Sequence, residues 1–193
     1  MKRRCLLGVG LATAGLLLMG HTPYGQWSVY RQRHLLILTN RIDGSYPLGK
    51  RISEVLATYL PDSESRVARA PNLLRVASLL STKQMDVALV RTDDAISLLR
   101  GVGPFTEHGP MALRSIIALE NYLLVCRDDF PNAHAYQVAR TLTLHRDRFT
   151  EALKPMAEKA MVPAHPGALA YYRGDPPPMR DPPLSDGNDH RHE

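Results

Sequence analysis

The sequence predicts an α/β domain built on a mostly parallel sheet with helices on both faces. Leu35–Leu38 is an unbroken apolar run, and Met85–Val90 is a second run interrupted only by Asp86. Runs this short and this apolar fit strands buried on both sides. Each is followed by a polar turn and then by apolar residues at helical spacing. The resulting order, β-α-β-α-β-α, implies parallel strands joined by right-handed crossovers.

Taken in order, the first strand leads into Asn40-Arg-Ile-Asp-Gly-Ser-Tyr-Pro-Leu-Gly, where Gly44, Pro47 and Gly49 shape a turn. Leu48, Ile52, Val55, Leu56, Tyr59 and Leu60 then share one helical face. Ser45 is placed to cap that helix and Pro47 fits its first turn. Pro61–Ser65 reads as a turn and Arg66–Ala70 as a short extended run. Pro71-Asn72 starts a helix through Leu80, with Leu73, Val76, Ala77 and Leu80 on one side. After Met85–Val90, Thr92 or Asp93 caps a helix through Leu99, closed by Gly101-Val-Gly-Pro. Phe105–Pro110 is a loop, Leu113–Leu119 and Tyr122–Cys126 are strands, and Asn132–Leu144 is a helix. Asp147–Lys159 reads as another helix broken at Pro155, and Val162–Arg173 as a turn leading into a short helix.

The chain of 193 residues is long enough for one compact domain, here expected over 34–173. Residues 1–25 read as a signal peptide or an uncleaved membrane anchor. Met1-Lys-Arg-Arg-Cys is a basic start, Leu6–Met19 is apolar, and His21-Thr-Pro-Tyr-Gly is a polar exit. The apolar stretch is shorter than the roughly 20 residues of a comfortable span, which favours a secretory signal. No Ala-x-Ala site follows it, which keeps the anchor open. Residues 26–33, with Trp27, Tyr30, Arg31 and Arg33, read as a linker or interfacial collar. Residues 174–193, rich in Pro, Asp and His, form a tail too polar to pack. The formal net charge of +5 is diffuse, with no basic helix carrying interleaved aromatics, so nucleic acid is not an expected partner. The two cysteines, Cys5 and Cys126, supply neither a disulfide framework nor a zinc site, and Cys126 reads as a buried inert thiol.

Chemistry concentrates at the first turn. A buried strand feeding a helix N-terminus aims free amides and the positive end of the helix dipole at one point, where an anion such as a carboxylate can sit. Gly44, Ser45 and Tyr46 are the candidate contacts, although Ser45 also serves as a cap and Tyr46 as packing. Asn72 and Thr92 stand at the next two helix starts, each readable as ligand contact or as cap. Arg91 at the second strand end can offer two parallel hydrogen bonds to a carboxylate. His165 in His-Pro-Gly-Ala suggests a metal or a catalytic group, but a turn docking the last helix accounts for it better. Asp93-Asp94 and Asp128-Asp129 are adjacent pairs whose side chains point apart, and no nucleophile, zinc or Walker motif is present, so no enzyme, metal or cofactor is expected.

Five segments then resemble one family in order: Gly44-Ser-Tyr-Pro-Leu-Gly, Asn72-Leu-Leu-Arg-Val-Ala-Ser-Leu-Leu, Met85-Asp-Val-Ala-Leu-Val-Arg-Thr-Asp, Gly103-Pro-Phe and Val162-Pro-Ala-His-Pro-Gly-Ala-Leu-Ala-Tyr-Tyr-Arg. Together they resemble the TAXI-type solute-binding subunits of TRAP transporters. The resemblance implies one lobe of a periplasmic-binding-protein-like (type II) fold. It further implies a periplasmic protein, soluble or tethered through residues 6–19, that binds a small carboxylate or amino acid and hands it to a TRAP-type permease. The chain departs from the family at Arg41, Ile42 and Asp43, which replace small residues, and at Arg91, where the family usually has Gln. Asp43 places negative charge where a carboxylate would sit. A second lobe is missing between Leu113 and Pro131, so a homodimer or another docking protein would have to supply the opposite wall. The alternative expectation is a membrane-anchored envelope interaction module that has lost high-affinity solute binding.

Overall fold

A computed structural model describes residues 34–178. The expected signal or anchor (1–25), the expected linker (26–33) and residues 179–193 of the expected tail lie outside them. Among the described residues no helix is long and apolar enough to cross a membrane.

The chain runs β1 (Leu36–Asn40), α1 (Ser45–Tyr59), β2 (Arg66–Ala70), α2 (Leu73–Ser81), β3 (Val87–Arg91) and α3 (Thr92–Arg100). It continues with β4 (Leu113–Leu119), β5 (Tyr122–Arg127), α4 (Asn132–Leu144), β6 (Leu153–Pro155) and α5 (Pro166–Arg173). The six strands form one sheet in the order β2-β1-β3-β5-β4-β6. Strands β2, β1 and β3 are parallel, whereas β5 and β4 return antiparallel and β6 pairs antiparallel at the edge. The expected mostly parallel sheet is therefore a mixed one. The two-residue link Glu120-Asn121 is the cause, because strands joined that tightly can only run antiparallel. Glu120 takes φ 52°, the left-handed conformation such hairpins demand.

Helices cover both faces. Leu48, Ile52, Val55 and Leu56 of α1 join Val138, Ala139 and Leu142 of α4 and Ala168 of α5 against Ile37, Leu89 and Leu124. On the other face Val76, Ala77 and Leu80 of α2 and Ala95 and Leu98 of α3 pack on Leu38, Val90 and Val125. Alternate residues of each central strand thus serve opposite cores, which is why β1 and β3 read as unbroken apolar runs. Gly49 lets α1 approach β1 closely, since a Cβ there would lie 2.4 Å from the Thr39 methyl.

The expected helix over Asp147–Lys159 does not form. A single 3-10 turn, Arg146–Arg148, precedes β6, which pairs through Leu153–Pro155 with the end of β4. Pro155 brings no amide and prevents a helix from continuing through it, while an edge strand accommodates it. Burial also pushes the Cys126 thiol well above its ordinary range, consistent with an inert core thiol.

The His-Pro-Gly-Ala segment docks the last helix. His165 N–H donates to Ser115 O at 2.8 Å and Ser115 N–H to Pro163 O at 2.8 Å, tying the turn to β4. His165 Nδ1 accepts from Gly167 N–H at 3.1 Å, so Nε2 carries the proton and donates to Phe130 O at 2.8 Å. Gly167 is required there, because a Cβ would lie 2.1 Å from Asn132 O. Tyr172 completes the joint by donating to Ile116 O at 2.8 Å.

Candidate functional site

Because β2 and β3 flank β1, the chain leaves β1 in one direction and β3 in the other. The C-terminal ends of β1 and β3 therefore form the point where an open α/β sheet offers a crevice. The turn after β1 and the start of α3 meet there.

The turn is tightly self-bonded. Asn40 N–H donates to Ser45 Oγ at 3.0 Å and Ile42 N–H to Asn40 Oδ1 at 3.1 Å. Gly44 takes φ 77° and precedes the first residue of α1. Ser45 is fully buried and does not cap the helix as expected, since its hydroxyl is spent on the end of β1. The neighbouring Asp43 caps instead: its Oδ1 accepts from Ser45 N–H at 2.9 Å. A carboxylate thus already occupies the helix N-terminus, and it belongs to the protein. Its second oxygen, Oδ2, is buried and has no hydrogen-bond partner.

Tyr122, the first residue of β5, closes the turn from the other side. Its hydroxyl donates to Asp43 O at 2.6 Å. Burial, reinforced by the Asp43 charge, raises its phenol above the ordinary value. Tyr122 sits opposite Arg91 in the antiparallel register of β3 and β5. Asp94, one step inside α3, has its carboxyl raised above the usual range by burial first and by the Asp43 charge second, with Arg91 opposing. Sequence reasoning missed both Tyr122 and Asp94. Tyr122 reaches the turn only through strand pairing, which no local spacing encodes, whereas Asp94 was visible as a charge in the first turn of a helix.

The remaining expected contacts are placed as follows. Tyr46 is half-buried under the Arg69 guanidinium, whose Cζ lies 3.3 Å from the ring centroid. Asn72 is a cap, its Oδ1 accepting from Arg75 N–H at 2.9 Å. Thr92 caps nothing, since its hydroxyl and its N–H both donate to Asn121 O. Arg91 is the exposed residue before α3. Asn72 lies beyond β2, whereas Asp43, Gly44, Ser45 and Tyr122 share the turn after β1, and Arg91, Thr92 and Asp94 stand at the start of α3. At the opposite end of the sheet a groove of about 280 Å³ lies between Lys83, His108, Met111 and Arg127. Its cations already pair with Asp129 and Asp86.

No protein-family model matches the chain, and no curated protein matches it.

Proposed function

We propose that this chain is a single-lobe relative of TAXI-type solute-binding subunits, held in the envelope by its N-terminal segment. It acts there as an interaction module that does not capture free anions and performs no chemistry. One observation carries the reading: Asp43 Oδ1 sits on Ser45 N–H at 2.9 Å, where the carboxylate of a solute would bind. Two further features support it. Ser45 and Thr92 already commit their hydroxyls to the protein's own backbone. Between Leu113 and Pro131 the chain holds a hairpin and a turn in place of a second lobe, so polar contacts at the crevice stay in water and are weak.

A second reading keeps the transport role, as a periplasmic subunit that hands a small carboxylate or amino acid to a TRAP-type permease. The position of the turn at the β1/β3 switch point and the exposed Arg91 favour it. Calorimetric titration of the full chain with dicarboxylates and acidic amino acids separates the two. The first reading expects no heat at millimolar ligand, together with a protein recovered by crosslinking in membranes. Micromolar binding overturns it in favour of transport.

A further inference from the structure

We propose that the end of the lobe opposite the crevice is a docking surface for an anionic lipid bilayer. The proposal rests on the membrane tether in the reading above and adds where the lobe meets the lipid.

The argument begins where the N-terminal segment joins. Leu35 N–H donates to Ser63 O at 2.8 Å, and Ser63 closes the turn that follows α1. The chain before His34 is therefore joined beside the C-terminal end of α1. That end lies about 22 Å along the helix from the Asp43 turn, at 1.5 Å per residue. In sequence, residues 20–33 separate it from the apolar run Leu6–Met19. With the tether of the reading above, this is the end of the lobe that the apolar run leads into.

The surface there has interfacial composition. Tyr59 is 38% exposed and its ring stacks on His145 at 3.5 Å between centroids. Arg148 donates to the Tyr59 hydroxyl at 2.9 Å. Leu144, beside His145, leaves 57% of its surface in water. Arg140 and Arg146 are exposed on the same stretch. Arg140, Arg146 and Arg148 outnumber the one acid among them, Asp147, which pairs with Arg148 at 3.5 Å. Of the acids on the turn after α1, Glu64 pairs with His34 at 3.0 Å and Asp62 is exposed. An aromatic ring, an apolar side chain and surplus arginine on one patch are what a negatively charged membrane surface attracts. The segment that joins there repeats the same types in Trp27, Tyr30, Arg31 and Arg33.

The test uses the full chain with Cys5→Ser and an environment-sensitive fluorophore on Leu144→Cys. A control carries it on Ile42→Cys, which is 76% exposed beside the crevice. Cys126 is buried and should not label. Vesicles of phosphatidylglycerol with phosphatidylethanolamine are compared with phosphatidylcholine. A blue shift at position 144 is expected in the anionic vesicles alone, reversed by about 0.5 M salt, with none at position 42. Adding Arg146→Glu and Arg148→Glu should abolish the shift while the chain still sediments with vesicles. Sedimentation without a shift at 144, or with equal shifts at both positions, overturns the docking surface and leaves the tether standing. Failure to sediment overturns the tether as well. A shift seen only in native membranes assigns the patch to a protein and overturns the lipid assignment.

Discussion

Two turns in this protein solve the same local problem in opposite ways. At each, a side chain accepts from the amide two residues on and so starts a helix: Asp43 Oδ1 from Ser45, and His165 Nδ1 from Gly167. The second ring nitrogen of His165 finds Phe130 O, so the buried group is satisfied. The second oxygen of Asp43 finds nothing, and Asp94 adds like charge nearby. A turn whose His165 is 1% exposed and bonded at both ring nitrogens is a structural joint. A turn with an orphan carboxylate oxygen at the mouth of a crevice costs stability, and such local costs accumulate at sites of interaction.

Five substitutions sharpen or break this contrast. Gly167→Ala should be the most damaging, by about 3 kcal/mol or more, because a methyl has no room against the Asn132 backbone; chemical denaturation reads it, and a loss under 1 kcal/mol would refute the joint. His165→Ala should cost about 2–4 kcal/mol, since it strands a buried carbonyl and amide and leaves a cavity. The same residue sets a pH dependence. Burial depresses its imidazole below the ordinary 6.5, so the unfolded chain binds the proton more readily. Its contribution is complete above about 6.5 and falls as pH drops toward the folded value; in His165→Gln that part of the slope should vanish. Tyr122→Phe should cost about 1 kcal/mol by removing one hydrogen bond to the Asp43 carbonyl. Asp43→Asn should change stability least, by under about 1 kcal/mol, because the amide oxygen can still cap Ser45. It should lower the Asp94 carboxyl toward its ordinary value in an NMR titration, and an unmoved Asp94 would show that the two carboxylates do not interact.

Much of the architecture was legible where one helix or strand decided its own fate. Leu35–Leu38 and Met85–Val90 pointed to buried strands, and Asn72 caps as its residue type suggests. The negative charge of Asp43 at the first turn was legible too. Its consequence, a helix start already occupied, needed the bond to Ser45 to be seen. What failed depended on partners far along the chain. Ser45 and Thr92 are good caps in isolation, yet the end of β1 and the β4–β5 hairpin claim their hydroxyls. Residues 147–159 alternate too weakly to announce a strand, and only the open edge of β4 makes Leu153–Pro155 one. The antiparallel return of β5 likewise follows from a two-residue link that carries no strong turn signature.

The outer strand β2 has its own bearing on assembly. Its residues Arg66 and Arg69 are exposed within a five-residue strand whose far side has no strand neighbour among the described residues. Continuing the sheet across a twofold axis through that strand would add two more arginines to a strand that already carries two. Self-pairing along β2 is thereby discouraged, as positive charge on an outer strand does generally. A homodimer would have to form through another surface.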